Sequence, residues 1–221
     1  MPMDKVAATV HAAKPRTYST SSAYRRSTTL TADEITTISG LKVTTIERTL
    51  FDVSTTCGFA AAVVAIEFAL YNHLVSRDLL ERYFGSKRNL NKLPEALKAL
   101  AFASSRSQSV LESRSRLFFD HFGFPMPEQQ VEITTRSGRK YRVDFLWRGL
   151  KLIGEADGKS KILDGTETEQ GRRLRNHWQR EEDLRAEGYT FVRWSWEDLS
   201  RPYDLKARIE NAFGQAQRLA A

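Results

Sequence analysis

The sequence of 221 residues contains a single cysteine, Cys57, so a disulfide bond within the chain is excluded. No apolar run approaches the roughly 18 residues that a membrane-spanning helix needs. Residues 1–13 also lack the continuous apolar stretch of a secretory signal. These absences favour a cytoplasmic protein without a membrane partner. Because Cys57 is followed by Gly58, Phe59 and Ala60, we expect its thiol to be buried and structural.

Positive charge exceeds negative charge in this chain. Lysine and arginine number 34 against 27 aspartate and glutamate residues, which gives a net charge of +7 and an isoelectric point near 9.6. Such an excess favours a polyanionic partner, most often nucleic acid. Charge supplies affinity for phosphates but does not identify a reaction.

The chain divides into three predicted segments. Residues 1–30 are rich in serine and threonine and predict an irregular lead-in, with short strands or partial disorder. Residues 31–104 predict a smaller, mainly helical domain that begins with a short β element around the Ser39-Gly40 turn. The hydroxyl-rich stretch 104–109 is the predicted boundary before the third segment, residues 105–221.

The third segment alternates between helical and strand patterns. The predicted order is helix 109–122, strands 130–134, 141–147 and 151–157, helix 172–187, strand 189–194 and helix 205–219. This order predicts an α/β fold in which a mixed β-sheet is flanked by helices. Gly154, Ala156 and Gly158 share one face of their strand and are small enough to let a helix pack closely.

The opposite face of the same strand carries the chemistry. Residues two apart in a strand share a face, so Glu155, Asp157 and Lys159 project together if the strand extends that far. Charged side chains that share one strand face, here two acids and a lysine, destabilise the fold unless another group compensates their charge. A divalent cation such as Mg²⁺, which takes one or two carboxylates, is the usual compensator.

Asp144 adds a carboxylate from the preceding strand. A turn near Gly149 would lay the two strands antiparallel, with Asp144 and Glu155 nearly opposite each other. The prediction is therefore an acidic cluster at one end of the sheet. The competing interpretation is an exposed strand face with incidental ion pairs.

These residues resemble a known family. Asp144, followed by Asp157-Gly158-Lys159, fits the D…(D/E)-x-K signature of the PD-(D/E)XK nuclease superfamily. The strings Val143-Asp144-Phe145 and Gly154-Glu155-Ala156-Asp157-Gly158-Lys159 resemble the branch related to very-short-patch repair endonucleases. That branch continues, at matching spacing, with Arg180-Glu181, Leu184, Gly188-Tyr189 and Val192-Arg193-Trp194. The resemblance spans roughly residues 107–200 and implies a restriction-endonuclease-like fold.

The resemblance also implies a metal-dependent hydrolase of phosphodiester bonds. Asp144, Glu155 and Asp157 would be the ligands of Mg²⁺, with Mn²⁺ as a substitute, and Lys159 would orient the attacking water or stabilise phosphate charge. In this branch the second acid often stands at the position of Glu155 and an acid replaces the lysine, here Asp157. In that register Lys159 is additional.

Glu112 is a further catalytic candidate, because nucleases of this superfamily often add a carboxylate from a helix beside the sheet. The alternative role for Glu112 is an ion pair with Arg116, one helical turn away.

Basic residues cluster at the start of the long predicted helix. Arg172, Arg173, Arg175 and Arg180, with the neighbouring Trp178, favour contacts with a nucleic-acid backbone. A solvated helix face is the alternative interpretation.

The middle of the chain resembles a second group, the AbiEi-like antitoxin proteins of actinobacterial type. The matching pieces are Ile38-Ser39-Gly40-Leu41-Lys42-Val43-Thr44, Arg48-Thr49-Leu50-Phe51-Asp52 and Leu74-Val75-Ser76-Arg77. Members usually begin with a winged-helix DNA-binding domain, for which this chain has no room before Val6. Either the chain is naturally short or its true start lies upstream.

Two function hypotheses follow. The first is a metal-dependent endonuclease that hydrolyses DNA. The second is an AbiEi-type antitoxin or DNA-binding regulator, in a toxin–antitoxin context, that uses the nuclease fold without catalysis. A folded remnant without activity is a third, less favoured hypothesis. Clustered carboxylates repel phosphates, so they favour catalysis, or at least metal binding, over simple DNA binding.

Overall fold

The computed structural model describes residues 8–12, 18–19, 23–27, 29–87, 92–157 and 167–220. The architecture is mixed α/β: a helical region is followed by a mixed four-stranded sheet with flanking helices, as the sequence predicts. In the described part of the lead-in, β1 (Ala8–Ala12), β2 (Tyr18–Ser19) and β3 (Ala23–Ser27) form a small sheet in the order β1-β3-β2. Short strands are therefore the form that these residues take. Across the described ranges, no helix is long and apolar enough to cross a membrane.

The helical region begins with the predicted hairpin. β4 (Ile35–Ile38) and β5 (Leu41–Thr44) pair through a turn in which Ser39 and Gly40 both have positive φ, 51° and 79°. Positive φ at both central residues is typical of the two-residue type I′ turn, whose backbone twist matches that of the two strands it connects. The helices that follow are α1 (Ile46–Thr56), α2 (Phe59–Tyr71), α3 (Arg77–Ser86) and α4 (Leu93–Phe102). Their apolar faces share one core that includes Leu50, Ile66, Leu80 and Leu100.

Glu34, just before β4, is a buried acid that ties this hairpin to the helices. Its carboxylate accepts hydrogen bonds from Tyr83 Oη (2.5 Å), Lys87 Nζ (2.5 Å) and Arg48 Nη1 (2.9 Å). Burial alone would raise the pKa of Glu34, but these donors outweigh it and lower the pKa to about 2. The hairpin is therefore anchored by charge to α1 and α3.

The second sheet has the order β6-β7-β8-β9. Its strands are β6 (Glu128–Thr134), β7 (Lys140–Trp147), β8 (Leu152–Ala156) and β9 (Thr190–Trp194). β6, β7 and β8 form an antiparallel meander, whereas β9 pairs parallel to β8. The flanking helices are α5 (Val110–His121), α6 (Glu167–Ala186), the short α7 (Trp196–Leu199) and α8 (Pro202–Ala220).

The two faces of this sheet are covered differently. α5 and α8 supply Phe119, Leu205 and Ile209 to an aromatic-rich core on one face. On the other face, Leu184 of α6 packs on Leu146 and Ile153. Polar contacts supplement that small apolar contact, such as the hydrogen bond from Arg139 Nη1 to Asp183 Oδ2 (2.8 Å). α6 therefore lies over its face of the sheet largely through charged groups.

Gly154 marks the centre of the aromatic face. A Cβ atom at this position would lie 2.7 Å from Cη2 of Trp194 and 3.0 Å from Cζ3 of Trp147. The small face of β8 is therefore covered by two tryptophan rings from the neighbouring strands, and Phe119 of α5 packs on those rings with centroid distances of 5.2 and 5.5 Å. The small residue at position 154 therefore makes room for two tryptophan rings, and α5 packs on those rings and not directly on Gly154 as predicted. Gly158 lies outside the described residues.

α5 contacts both halves of the chain. Its Arg116 pairs with the fully buried Glu67 of α2, and Arg116 Nη2 donates to the carbonyl of Phe102 (2.9 Å). The architecture thus changes at the predicted boundary, residues 104–109, but α5, which follows the boundary, packs on α2, which precedes it. Because Arg116 binds Glu67, the alternative pairing of Arg116 with Glu112 is wrong.

The expectation for Cys57 is also wrong, because its side chain is exposed. Cys57 ends α1, where its backbone N–H donates to the carbonyl of Val53, and it precedes Gly58 with a φ of 83°. The chain reverses direction here toward α2, so the thiol lies outside the helical core.

Replacement of Gly154 by alanine tests the aromatic layer. Because the added methyl group meets two ring systems packed on both sides, we expect Gly154→Ala to lower the free energy of unfolding by about 1–3 kcal/mol. Gly149→Ala is the matched control, since no described atom lies within 4 Å of its Cβ position. Urea denaturation measures both, and an equal effect of the two substitutions would contradict the packing described.

Candidate functional site

Asp144 and Glu155 lie at the point where the β7–β8 ladder ends. The last recorded pair is Phe145↔Gly154, and Asp144 and Glu155 follow it in the same antiparallel register. Leu146 and Ile153, two residues away on each strand, both pack on the α6 side. Because strand residues alternate between faces, Asp144 and Glu155 share the α6 face as predicted.

The Asp144 carboxylate is held by donors from two strands. Its Oδ2 atom accepts a hydrogen bond from the backbone N–H of Ala156 (3.0 Å). Its Oδ1 atom lies 3.4 Å from Nε2 of Gln130 in β6. The side chain thus replaces a backbone acceptor and connects β7 to β8 beyond the last ladder pair.

Glu155 is a buried carboxylate with an arginine partner. It is 8% exposed, and its Oε1 atom accepts a hydrogen bond from Arg180 Nη2 at 2.6 Å. Burial is the largest influence on its pKa; repulsion from Asp144 and Asp157 adds to it and Arg180 opposes it, which leaves the pKa at about 7. Arg180 Nη2 also donates to the carbonyl of Arg142 (2.9 Å), so this guanidinium bridges α6 to β7 and β8.

Asp157 follows directly after β8. Its backbone N–H donates to the carbonyl of Trp194 (2.8 Å), while its more exposed carboxylate lies 3.7 Å from Nε of Arg193. The net effect on the pKa of Asp157 is a rise: partial desolvation raises it, Arg193 opposes this, and the charge of Asp144 adds to the rise. Lys159, the next residue predicted to lie on this strand face, is outside the described residues.

Glu112 reaches the same centre from α5. It is the third residue of the helix, and its carboxylate accepts hydrogen bonds from the Ser109 hydroxyl (3.0 Å) and the Gln108 backbone N–H (3.0 Å). Its Oε2 atom also accepts from Gln130 Nε2 (2.9 Å). Burial and then the repulsion of Asp144 raise the pKa of Glu112, against the effect of these donors. Glu112 therefore has two roles, one at the start of α5 and one beside Asp144.

The charge of Asp144 raises the pKa of three neighbouring acids, Glu112, Glu155 and Asp157. Geometry ties three of these acids together: Gln130 Nε2 lies between Glu112 Oε2 and Asp144 Oδ1, and Asp144 and Glu155 occupy facing positions on β7 and β8. Within the described ranges, however, no three histidine, cysteine, aspartate or glutamate side chains form a group that could hold a metal ion. Mg²⁺ commonly needs only one or two carboxylates, because waters and phosphate oxygens complete its shell. The hard oxygen donors of Asp144 and Glu155 fit that requirement.

The remaining predicted residues lie on α6. Arg172 and Arg175 are exposed, and Trp178 is 68% exposed. The side chain of Arg173 is not among those that the structure describes. Arg180 differs from Arg172 and Arg175, because it faces the sheet and pairs with Glu155.

Gln130 is a member of the site that the sequence did not predict. Its significance depends on where β6 places it, opposite Asp144 and beside the first turn of α5. A polar residue at one position of a predicted strand gives no sign of either contact.

Comparisons with known proteins give one pair of relatives. The chain is 27% identical over 187 residues to the uncharacterized proteins MT2308 and Rv2248 of Mycobacterium tuberculosis, from strains CDC 1551 / Oshkosh and H37Rv. The match covers 81% of this chain and 65% of each relative, so the chain spans just under two thirds of their length. No family model matches the sequence. No solved structure matches it either.

Glu155 gives the site a testable pH dependence. Because its pKa rises from 4.5 when unfolded to about 7 when folded, its contribution to stability is present below pH 4.5 and is lost as the pH rises through 7. We expect Glu155→Gln to remove this part of the decline between pH 4.5 and 7, measured by urea denaturation in a chelating buffer. Parallel pH profiles of the wild type and the variant would contradict the raised pKa.

Proposed function

We propose that this chain is a metal-dependent endonuclease that hydrolyses phosphodiester bonds in DNA, with Mg²⁺ as its cofactor and Mn²⁺ as a substitute. The observation that carries the proposal is the placement of Asp144 and Glu155 opposite each other on β7 and β8, with Glu112 joined to Asp144 through Gln130 and Asp157 directly after β8. Glu112 comes from a helix, Asp144 and Glu155 come from two adjacent strands, and Asp157 follows the second strand, in the order that the resemblance to PD-(D/E)XK nucleases implies.

The charge distribution supports a cation-dependent reaction. A chain with a net charge of +7 suits a polyanionic partner, yet its candidate site concentrates carboxylates that repel phosphate. A divalent cation between the carboxylates and a phosphate removes this conflict, since it binds oxygen atoms of both.

The proposed roles follow from the positions of the side chains. Asp144 and Glu155 would hold the ion, and Asp157 would add negative charge at the exposed side of the site. A bound ion supplies Lewis acidity to the scissile phosphate and lowers the pKa of a coordinated water. Arg172 and Arg175, exposed on α6, would bind the DNA backbone together with Arg173. A role for Lys159 in orienting water rests on the resemblance alone.

One observation favours the second candidate, an AbiEi-type antitoxin or DNA-binding regulator with a non-catalytic nuclease fold. Arg180 already supplies a positive charge to Glu155 at 2.6 Å, as an internal counter-ion would in a site that binds no metal. The two candidates differ in one property, which is whether a divalent cation binds at Asp144 and Glu155.

Plasmid cleavage tests the proposal. Supercoiled DNA is incubated with wild-type protein and Mg²⁺ or Mn²⁺, beside Asp144→Asn, Glu155→Gln and the surface control Glu95→Gln. We expect both site variants to lose at least about 100-fold in cleavage rate, because even the outer partners of metal ligands contribute about 10- to 100-fold. The control retains the wild-type rate, since Glu95 is an exposed residue of α4 in the helical region of the chain.

Calorimetric titration of the same proteins with Mn²⁺ separates the outcomes. Wild-type protein that binds DNA, but neither binds metal nor cuts, is the result that the regulator candidate predicts, and the nuclease proposal then fails. Metal binding without cleavage of any DNA form would leave a metal-dependent binding module in place of an enzyme.

A further inference from the structure

Gln130 has an unusual backbone for a residue inside a strand. Its φ is 52°, in the left-handed region that non-glycine residues rarely adopt. The pairs on either side, Gln129↔Phe145 and Val131↔Val143, keep one continuous register, so Gln130 lies opposite Asp144. A left-handed residue of this kind costs about 1 kcal/mol or more and persists where its surroundings compensate. The side chain of Gln130 shows what the compensation is.

The side-chain amide of Gln130 lies between two carboxylates. Its Nε2 atom donates to Glu112 Oε2 at 2.9 Å and to Asp144 Oδ1 at 3.4 Å. An amide nitrogen carries two hydrogens, so one Gln130 can serve both acceptors. The left-handed backbone and the two-acceptor contact occur at the same residue, which links the strain to the acidic site.

We propose that Gln130 is a positioning residue of the acidic site, which holds the carboxylates of Glu112 and Asp144 together and fixes the orientation of Asp144 for a divalent cation. The inference rests on the proposed function. With Gln130 on Oδ1 and the Ala156 N–H on Oδ2, both oxygens of Asp144 have a donor. Partners of this kind orient metal-ligating carboxylates in proteins.

The chemistry of the amide suits this role. A neutral donor lets two carboxylates approach each other without cancelling the negative potential that attracts a cation. Arg180 acts differently on Glu155, because its guanidinium adds a full positive charge. The site therefore has a neutral donor on Asp144 and a charged donor on Glu155.

Gln130 also determines how Glu112 takes part. Glu112 is fixed at the start of α5 by Ser109 and Gln108, and its contact with Gln130 Nε2 joins that helix to the sheet. Besides the direct repulsion between the two carboxylates, Glu112 is therefore connected to Asp144 through Gln130.

The test measures Mn²⁺ affinity by calorimetry, without DNA, for wild type, Gln130→Met, Gln130→Gly, Glu112→Gln and the double variant Gln130→Met/Glu112→Gln. Methionine keeps the length of the side chain and removes its donors, whereas glycine also relieves the left-handed backbone. Gln215→Met, at an exposed position of α8, is the matched control. We expect both Gln130 variants to weaken Mn²⁺ binding by about 10-fold or more and the control to leave it unchanged.

The double variant separates positioning from a merely structural role. If Gln130 carries the effect of Glu112, the double variant binds Mn²⁺ about as weakly as either single variant, whereas independent structural effects multiply. Urea denaturation of each variant accompanies the titrations, and a loss of affinity that tracks the loss of stability would overturn the inference.

Two further outcomes are distinct. Wild-type Mn²⁺ affinity in Gln130→Met would overturn the role of Gln130 and leave the proposed function standing. Failure of wild-type protein to bind Mn²⁺ would overturn both.

Discussion

The repulsion among carboxylates around Asp144 is the constraint on which the C-terminal half of this protein depends. Buried charges of one sign are tolerated only where donors or counter-ions compensate them. Here the compensation comes from three directions: the Ala156 backbone in β8, the Gln130 amide in β6 and the Arg180 guanidinium in α6. Each donor also fixes the element that carries it. The same contacts that hold the negative charge therefore hold the strands and α6 in place.

The opposite face of the sheet makes this arrangement rigid. Trp147 and Trp194 close over Gly154, and Phe119 of α5 packs edge-on against both rings. The dense aromatic layer fixes the relative position of β7, β8 and β9, from which Asp144, Glu155 and Arg193 extend to the α6 side. The aromatic layer on the opposite face from the acidic site therefore needs a residue without a side chain at position 154.

The sequence predicted the order of the elements well, because that order depends on local patterns. The Ser39-Gly40 hairpin, the helical character of the segment after it and the meander ending at β8 all follow from apolar periodicity and turn residues. The same-face placement of Asp144 and Glu155 followed from counting outward from one turn. The short α7 and the earlier start of α6, at Glu167, were not predicted. Neither the residues of α7 nor the first residues of α6 show the repeating apolar pattern from which a helix is predicted.

Contacts between distant residues were harder to foresee. The partner of Arg116 is Glu67, 49 positions away, although Glu112 is its nearer neighbour in sequence. Arg180 carries the same charge as Arg172 and Arg175, and only the packing of α6 directs it to Glu155. Gln130 has a left-handed backbone and contacts with two carboxylates, and a glutamine in a predicted strand indicates neither. Such features depend on tertiary structure and not on spacing.

The central claim is that Asp144 and Glu155 form a site for a divalent cation, and diffraction from crystals soaked in Mn²⁺ tests it most directly. Anomalous scattering locates the ion without reference to cleavage. The account predicts an anomalous peak bonded to carboxylate oxygens of both residues. Crystals saturated with Mn²⁺ in which neither carboxylate contacts an ion, and Arg180 still pairs with Glu155, would contradict it.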